Sequence, residues 1–489
     1  MSNNILNRLS YEIHKKILDY AADSRSESMF RTRTNYDPEW TLVCQYWRDI
    51  VQEITFKDLK VTVSLSEQHD NYVNRVRHII ADRPVLGSFI KYITLRFDSP
   101  SYLFCASENE FLAESIVGFC CLLHEIGLAS DSCPTATISR EFSEEEIQFE
   151  ALDELRTFVV RIEQMARGLQ PIKHLKKLTI YSQITTEHML AAEGVITILR
   201  LCPDLTDLKW NFPIARSASN TTEHFLYQGL VKSIPLFPKT IKRLELNLRT
   251  APFYLQSSDA SDDHRHESPP SRGGLGDRLG RCLRELSQSL VAFSYIGPIS
   301  PEFFEDTFAT TDYSDHLDTE EPGRFKRLRA RFAAEAGENK WPHLESLSIE
   351  FERFDSLGNA YKSSPFPILT LEDGSIRLVH AKDVSEEESE KLLNDLLLAA
   401  TEAAVNRMPK INLFHVVDLE RTTCSMRFQR RVGDESLIRP KMASKVKVNP
   451  PFTLQFHHAF RSNSKILKLW KSHFGPELHV YDTKMSLPL

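Results

Sequence analysis

The chain has 489 residues, of which 41% are apolar and 26% charged, and its formal net charge is −7. This composition is typical of a globular protein with a large core, and it excludes the disordered and fibrous classes. The small negative charge gives no electrostatic case for binding nucleic acid, and no apolar run approaches the roughly 20 residues of a membrane span.

The cysteines and the first residues of the chain predict the cellular compartment of the protein. The chain has eight cysteines without regular spacing, which favours buried thiols in a reducing environment over a disulfide framework. The first four residues lack the basic-then-apolar pattern of a secretory signal. We therefore expect an intracellular protein, cytoplasmic or nuclear, with no membrane partner.

The first sixty residues read as two helices joined by a polar loop. Leu6, Leu9, Ile13 and Ile17 recur every three or four residues, which places them on one face of a helix. Ser10 is a candidate N-cap for this helix, with Glu12 in its first turn. After a polar segment over residues 24–38, a second helix carries its apolar residues at the same spacing. These residues are Trp40, Val43, Cys44, Trp47, Ile50 and Val51.

Two phrases in this region resemble the F-box-like domain common in fungal proteins. They are residues 9–18, LSYEIHKKIL, and residues 42–48, LVCQYWR. The resemblance implies that this region docks on the Skp-type adaptor of a cullin (SCF) ubiquitin ligase, while the rest of the chain binds a target protein. The implied partner-binding residues are Leu9, Ile13, Ile17, Leu18, Leu42, Val43 and Trp47.

The alternative is that the helix pair only caps a repeat domain, since terminal repeats need a cap. Ser10 stands where the family usually has a proline, and residues 24–38 are longer than the usual connection. The chain would then be a stand-alone scaffold for protein–protein interaction, with no link to a ligase.

Beyond residue 84, one phrase recurs along the chain. It has an apolar residue, two spacers, a second apolar residue, one spacer and a third apolar residue, and Trp341–Phe351 is its clearest example. The last part of the phrase alternates as a half-buried strand does. Its seven occurrences are Ile90/Ile93/Leu95, Leu175/Leu178/Ile180, Leu205/Leu208/Trp210, Ile241/Leu244/Leu246, Leu290/Phe293/Tyr295, Leu344/Leu347/Ile349 and Ile411/Phe414/Val416.

Helix-like runs precede most of these phrases, often with a proline in the turn between. Alternation of helix and strand predicts an α/β fold with a parallel sheet and helical crossovers. The pattern over residues 84–420 resembles a degenerate leucine-rich-repeat solenoid, because one unit recurs. An ordinary three-layer α/β domain is the alternative.

The sequence therefore predicts an N-terminal F-box-like helical domain over residues 1–60 and an irregular solenoid over 61–489. Unit lengths exceed the typical repeat, which predicts insertions. These lie near residues 98–150, 256–276, 305–323 and 354–390. The last contains a predicted hairpin, two alternating runs that flank Asp373-Gly374.

No constellation of residues indicates catalysis, a metal or a cofactor. His264 and His266 lie in a polar segment without cysteines at ligand spacing, and Cys120-Cys121 lies in an apolar helix where thiols pack as small hydrophobes. His457-His458 lies on an alternating stretch that favours packing over ligation. We name no catalytic residue and expect no enzyme. A deep pocket with converging carboxylates or histidines would instead favour an α/β enzyme.

Overall fold

The computed structural model describes the helices, the strands and most of their short connections. The described residues are 10–23, 45–64, 72–98, 106–129, 134–141, 162–182, 192–211, 229–248, 278–304, 341–351, 368–372, 375–379, 386–418, 425–430, 452–457 and 464–483. Several predicted segments lie outside these ranges, including the polar stretch 256–276 and the acidic stretch 305–323.

The described helices alternate with strands along most of the chain. The helices are α1 (Tyr11–Asp23), α2 (Gln45–Lys57), α3 (Tyr72–Asp82), α4 (Pro84–Phe89), α5 (Ala106–Ala129), α6 (Ala192–Arg200), α7 (Arg278–Ser287), α8 (Glu386–Arg407) and α9 (Ser464–Phe474). Residues 162–166 and 229–233 are also helical. Short 3-10 turns cover Ile234–Leu236, Pro301–Phe303 and Gly475–Glu477.

The strands follow the repeated phrase and extend beyond it. They are β1 (Asp58–Ser64), β2 (Tyr92–Asp98), β3 (Thr135–Glu141), β4 (Lys177–Ser182), β5 (Asp207–Asn211), β6 (Arg243–Asn247), β7 (Ala292–Gly297), β8 (Ser346–Phe351), β9 (Ile368–Glu372), β10 (Ser375–Val379), β11 (Leu413–Asp418), β12 (Ser425–Arg430), β13 (Phe452–His457) and β14 (Leu478–Thr483).

Twelve of these strands form one sheet that is mostly parallel. Its order is β1-β2-β3-β4-β5-β6-β7-β8-β11-β12-β13-β14. Strand β12 is antiparallel to both of its neighbours, β11 and β13. The order follows the sequence except that β9 and β10 form a separate antiparallel hairpin. The predicted α/β class, the parallel sheet and the hairpin are thus confirmed.

The chain forms two compact units. The first comprises Met1–Gln183 with Gly194–Leu208, and the second comprises Ile184–Glu193 with Lys209–Leu489. The N-terminal helix pair belongs to the first unit, where α2 packs against α4 and β1. In the second unit, α8 packs against α9, and α9 carries Trp470 into an aromatic cluster with Phe428 and Phe474.

The apolar positions of the repeated phrase form the core beside the sheet. All three positions of every phrase are at least 97% buried, from Ile90 to Val416. The second and third positions pair in register across neighbouring strands: Leu244 lies opposite Phe293, and Phe293 lies opposite Leu347. Matching positions therefore lie side by side in β6, β7 and β8, which places an apolar layer on one face of this part of the sheet.

The backbone at the strand starts repeats as well. The N–H groups of Glu345 and Ser346 both donate to the carbonyl of Val291, and those of Asn412 and Leu413 both donate to the carbonyl of Glu345. The same pair of bonds joins Thr206 and Asp207 to Lys176, and Val291 and Ala292 to Lys242. Successive turns are thus held in one register.

Two strands, β1 and β3, share these hydrogen bonds although the repeated phrase was not found in their sequences. Lys91 donates its N–H to the carbonyl of Lys57, and Thr135 donates its N–H to the carbonyl of Lys91. These bonds give β1 and β3 the strand start found in the other units. Pro134 has no N–H, so only Thr135 donates there. The segment 98–150, read as an insertion, therefore supplies β3 between β2 and β4.

Two local expectations from the sequence differ from the structure. The spacing of Ile54 and Phe56 predicts extended chain, but both residues lie in α2, which continues to Lys57; so short an apolar pattern fits either a strand or a helix. The alternation over residues 452–456 predicts a closing strand; it forms β13, and β14 follows it at the edge of the sheet.

Candidate functional site

Helix α1 begins where the sequence places its N-cap. The carbonyl of Ser10 accepts the N–H groups of Ile13 and His14, so Ser10 stands immediately before the first turn. Hydrogen bonds from a backbone N–H and from Ser10 lower the pKa of the exposed Glu12 carboxyl. A negative charge in the first turn suits the positive end of the helix dipole.

The helix pair has its own small apolar core. Leu18, Ile50 and Val51 are buried together, and Tyr11, Trp47 and Ile54 pack against them while remaining partly exposed. Leu18 comes from α1 and the other two buried residues from α2, so the core forms only when the two helices are in contact. Among the described residues, Leu18, Ile50 and Val51 are the apolar side chains fully buried in this core.

A buried hydrogen bond also joins the two helices. Trp47 donates its indole N–H to Nδ1 of His14 over 2.9 Å, and the two rings meet edge to face with their centroids 6.5 Å apart. His14 is only 1% exposed. Because Nδ1 accepts this bond, the imidazole carries any ring proton on Nε2 in this arrangement.

A polar contact lies at the edge of this core. Tyr11 donates its hydroxyl proton to Oε2 of Glu53, and the Lys15 ammonium lies 3.4 Å from Oε1 of the same carboxylate. Glu53 on α2 therefore binds two side chains one turn apart on α1. These contacts fix how the two helices face each other.

The outer face of α1 exposes two isoleucines. Ile13 is 45% exposed and Ile17 is 39% exposed. Being four residues apart, they lie one above the other on the helix surface. His14 and Leu18, each one residue further along, are buried against α2. Helix α1 thus has one side buried against α2 and a second, apolar strip, Ile13 and Ile17, that is exposed to solvent.

The structure separates the residues that the resemblance implies for partner binding. Ile13 and Ile17 are exposed, Leu18 is buried and Trp47 is half-buried. Leu9, Leu42 and Val43 lie outside the described residues. Sequence reasoning did not single out His14 or Glu53. The helical spacing of His14 and Leu18, four residues apart, was the signal that could have marked His14 as a core residue.

Of the cysteine and histidine candidates, Cys120 and Cys121 are described, whereas His264, His266 and His458 lie outside the described residues. Cys120 and Cys202 are buried thiols of the first unit. Burial raises the pKa of Cys120 well above its usual range and that of Cys202 to about 12. Within the described ranges, no three histidine, cysteine or acidic side chains lie close enough to hold a metal ion.

No family model, no curated protein and no solved structure matches the chain. Among the described helices, none combines the length and the apolar character needed to cross a membrane.

Proposed function

We propose that the chain is a substrate-recognition adaptor of a cullin-type ubiquitin ligase. In this proposal the exposed face of α1 docks on the Skp-type adaptor, and the repeat region binds a target protein. The observation that carries it is the pair Ile13 and Ile17, which are exposed one turn apart on a helix whose opposite side is already buried. A helix bound in a groove presents its anchors at this spacing.

The different roles of the two sides of α1 support this proposal. Leu18 and His14 hold α1 against α2, so the helix needs no further burial to be positioned. An apolar strip that the fold itself does not use is a typical mark of an interaction site. A preordered helix also loses little conformational freedom on docking, which favours affinity.

The repeat region supports the second half of the proposal. We infer a leucine-rich-repeat-like solenoid from the buried phrase positions and the repeated hydrogen bonds at the strand starts. In such an architecture each unit contacts mainly its neighbours, which produces an extended surface suited to binding another protein.

The test is co-purification of the full chain with a Skp-type adaptor. We expect a stable complex with the natural chain and at least about a tenfold loss of affinity for Ile13→Glu/Ile17→Glu, since buried anchors carry most of an interface's binding energy. Ile79→Glu is the matched control, because Ile79 is an exposed isoleucine on α3 of the same unit. Absence of any complex, or equal loss with the control, would contradict the proposal.

The second candidate is a stand-alone repeat scaffold whose helix pair is only a cap. The packing of α2 against α4 and β1 favours it, because the pair is attached to the first unit as a cap would be. Under this candidate no complex forms with a Skp-type adaptor. Deletion of the helix pair would then lower stability without removing any partner.

A further inference from the structure

Six lysines lie at the start of the strands in the first unit. We call them the lysine rim: Lys57, Lys60, Lys91, Lys173, Lys176 and Lys177. All six are exposed. They come from three chain segments that are distant in sequence and are brought to one end of β1, β2 and β4.

The repeat places three of these lysines in equivalent positions. The carbonyl of Lys57 accepts from Lys91, that of Lys91 accepts from Thr135, and that of Lys176 accepts from Thr206 and Asp207. Lys57, Lys91 and Lys176 are therefore equivalent: each immediately precedes the first residue of its strand. Neighbouring strands are about 4.8 Å apart, so the backbone positions of Lys57 and Lys91 are neighbours and Lys176 lies two strands further along.

Lys60 and Lys177 lie on the sheet face opposite the apolar core. Lys60 pairs in register with Thr94, Thr94 with Thr137, and Thr137 with Thr179. Lys177 alternates with the buried Leu178 and lies on the same face as Thr179. Three strand spacings separate β1 from β4, which is about 14 Å. Thr94 and Thr137 lie beside Lys60 in its register row, and Lys177 stands in the adjacent row, Asp58–Tyr92–Thr135–Lys177.

Few acidic groups neutralise the lysine rim. Asp58 lies within it, while Asp204 accepts the backbone N–H of His174 and Asp207 accepts the hydroxyl of Thr206. Of the ion pairs between described residues, none involves Lys57, Lys60, Lys91, Lys173 or Lys177. The chain as a whole carries −7, so the sign of this patch opposes that of the molecule.

The lysine rim lies at the strand starts, and Arg96 lies further along β2 on the same sheet face as Thr94. The greater number of positive side chains at the strand starts would attract a negatively charged ligand most strongly to that end of the face.

We propose that the lysine rim binds an acidic, extended segment of a protein, one rich in Asp and Glu. A span of about 14 Å accommodates about four or five extended residues at roughly 3.3 Å each. Lysine ammonium groups pair with the carboxylates, and threonine hydroxyls donate to carboxylate or backbone oxygens. The patch is too short to track a long phosphate backbone, which favours a peptide over nucleic acid.

This inference rests on the proposed function only in taking the bound segment to be part of a target protein. Binding of the segment does not require a Skp-type adaptor. The two proposals therefore fail separately, provided that each is measured with its own ligand.

The test is fluorescence anisotropy with the full chain and a fluorescein-labelled peptide containing six consecutive glutamates. A peptide with six glutamines is the uncharged control, and a single-stranded RNA with six phosphates is the nucleic acid probe. We expect the glutamate peptide to bind best and to weaken steeply with added salt. For Lys60→Glu/Lys177→Glu we expect the dissociation constant to rise by about tenfold or more, because attraction becomes repulsion.

The matched control is Lys468→Glu/Lys471→Glu, which reverses two exposed lysines on α9 of the second unit. This variant should bind the peptide as the natural chain does. Equal losses in both variants, or no loss in either, would overturn the proposal, and so would tighter binding of the RNA than of the peptide. The Lys60/Lys177 variant should still co-purify with the adaptor, whereas Ile13→Glu/Ile17→Glu should still bind the peptide.

Discussion

The indole N–H of Trp47 donates to Nδ1 of His14 at 2.9 Å, and this bond joins two helices that are separated by a long segment of chain. Both rings lie at the small apolar core of the helix pair. Trp47, one of the partner-binding residues that the F-box resemblance implies, thus has a structural role within the chain. The exposed partner-binding candidates are its neighbours on α1, Ile13 and Ile17.

The Trp47–His14 bond should be measurable as a coupling energy. Trp47→Phe leaves the buried Nδ1 without this donor, and we expect it to cost about 1–3 kcal/mol of unfolding free energy. A double-mutant cycle with His14→Ala should give a coupling of about 1 kcal/mol. Chemical denaturation of the four proteins measures it, and additive effects would show that the bond contributes nothing.

The two sides of α1 should respond differently to truncation. Leu18→Ala removes a buried side chain and should cost about 2–5 kcal/mol, whereas Ile17→Ala on the exposed side should cost less than about 1 kcal/mol. Thermal unfolding with circular dichroism compares the two. Equal costs would mean that Ile17 is buried in solution, and the proposed docking face would then be occupied by the chain itself.

Gly297 should not tolerate a side chain. Its φ is +153°, and an added Cβ would lie 2.8 Å from the Tyr295 hydroxyl oxygen, which donates to the carbonyl of Pro298. We expect Gly297→Ala to lower the unfolding free energy by about 1–3 kcal/mol. Gly168→Ala is the control, because nothing lies within 4 Å of the added atom there, and its denaturation midpoint should stay close to that of the natural chain.

The buried thiols should make the protein less stable in alkali. The pKa of Cys202 is raised to about 12, against about 8.5 in an unfolded chain. Between these values the native thiol keeps a proton that the unfolded thiol releases, so stability is fully present below about pH 8.5 and falls as the pH rises. The slope is at most about 1.4 kcal/mol per pH unit for each such thiol.

Denaturation at a series of alkaline pH values measures this slope. Cys202→Ala should reduce it, because the substitution removes the thiol whose pKa differs between the folded and unfolded states. Identical slopes in the natural chain and Cys202→Ala would contradict the expectation. Alkylation of the native protein should likewise spare Cys120 and Cys202 relative to Cys121.

The sequence by itself determined the strands of the repeat. In a phrase such as Leu344/Leu347/Ile349 the spacing fixes which side chains share a face, because alternation is a local property of the extended backbone. Every such position is buried in the structure. The alternation of helix and strand also determined that neighbouring strands are parallel, since a helical crossover returns the chain to the same end of the sheet.

Only the tertiary structure decided which strands are neighbours and which side chains are in contact. It placed β3, which has the short side chain of Ala136 near its start, between β2 and β4, and it made β12 antiparallel to β11. It also decided which apolar residues of α1 are buried: the sequence spacing places Ile13 and Ile17 on one face, and contact with α2 buries Leu18 instead. The lysine rim also depends on the tertiary structure, because its members are distant in sequence and become adjacent only when the strands pair.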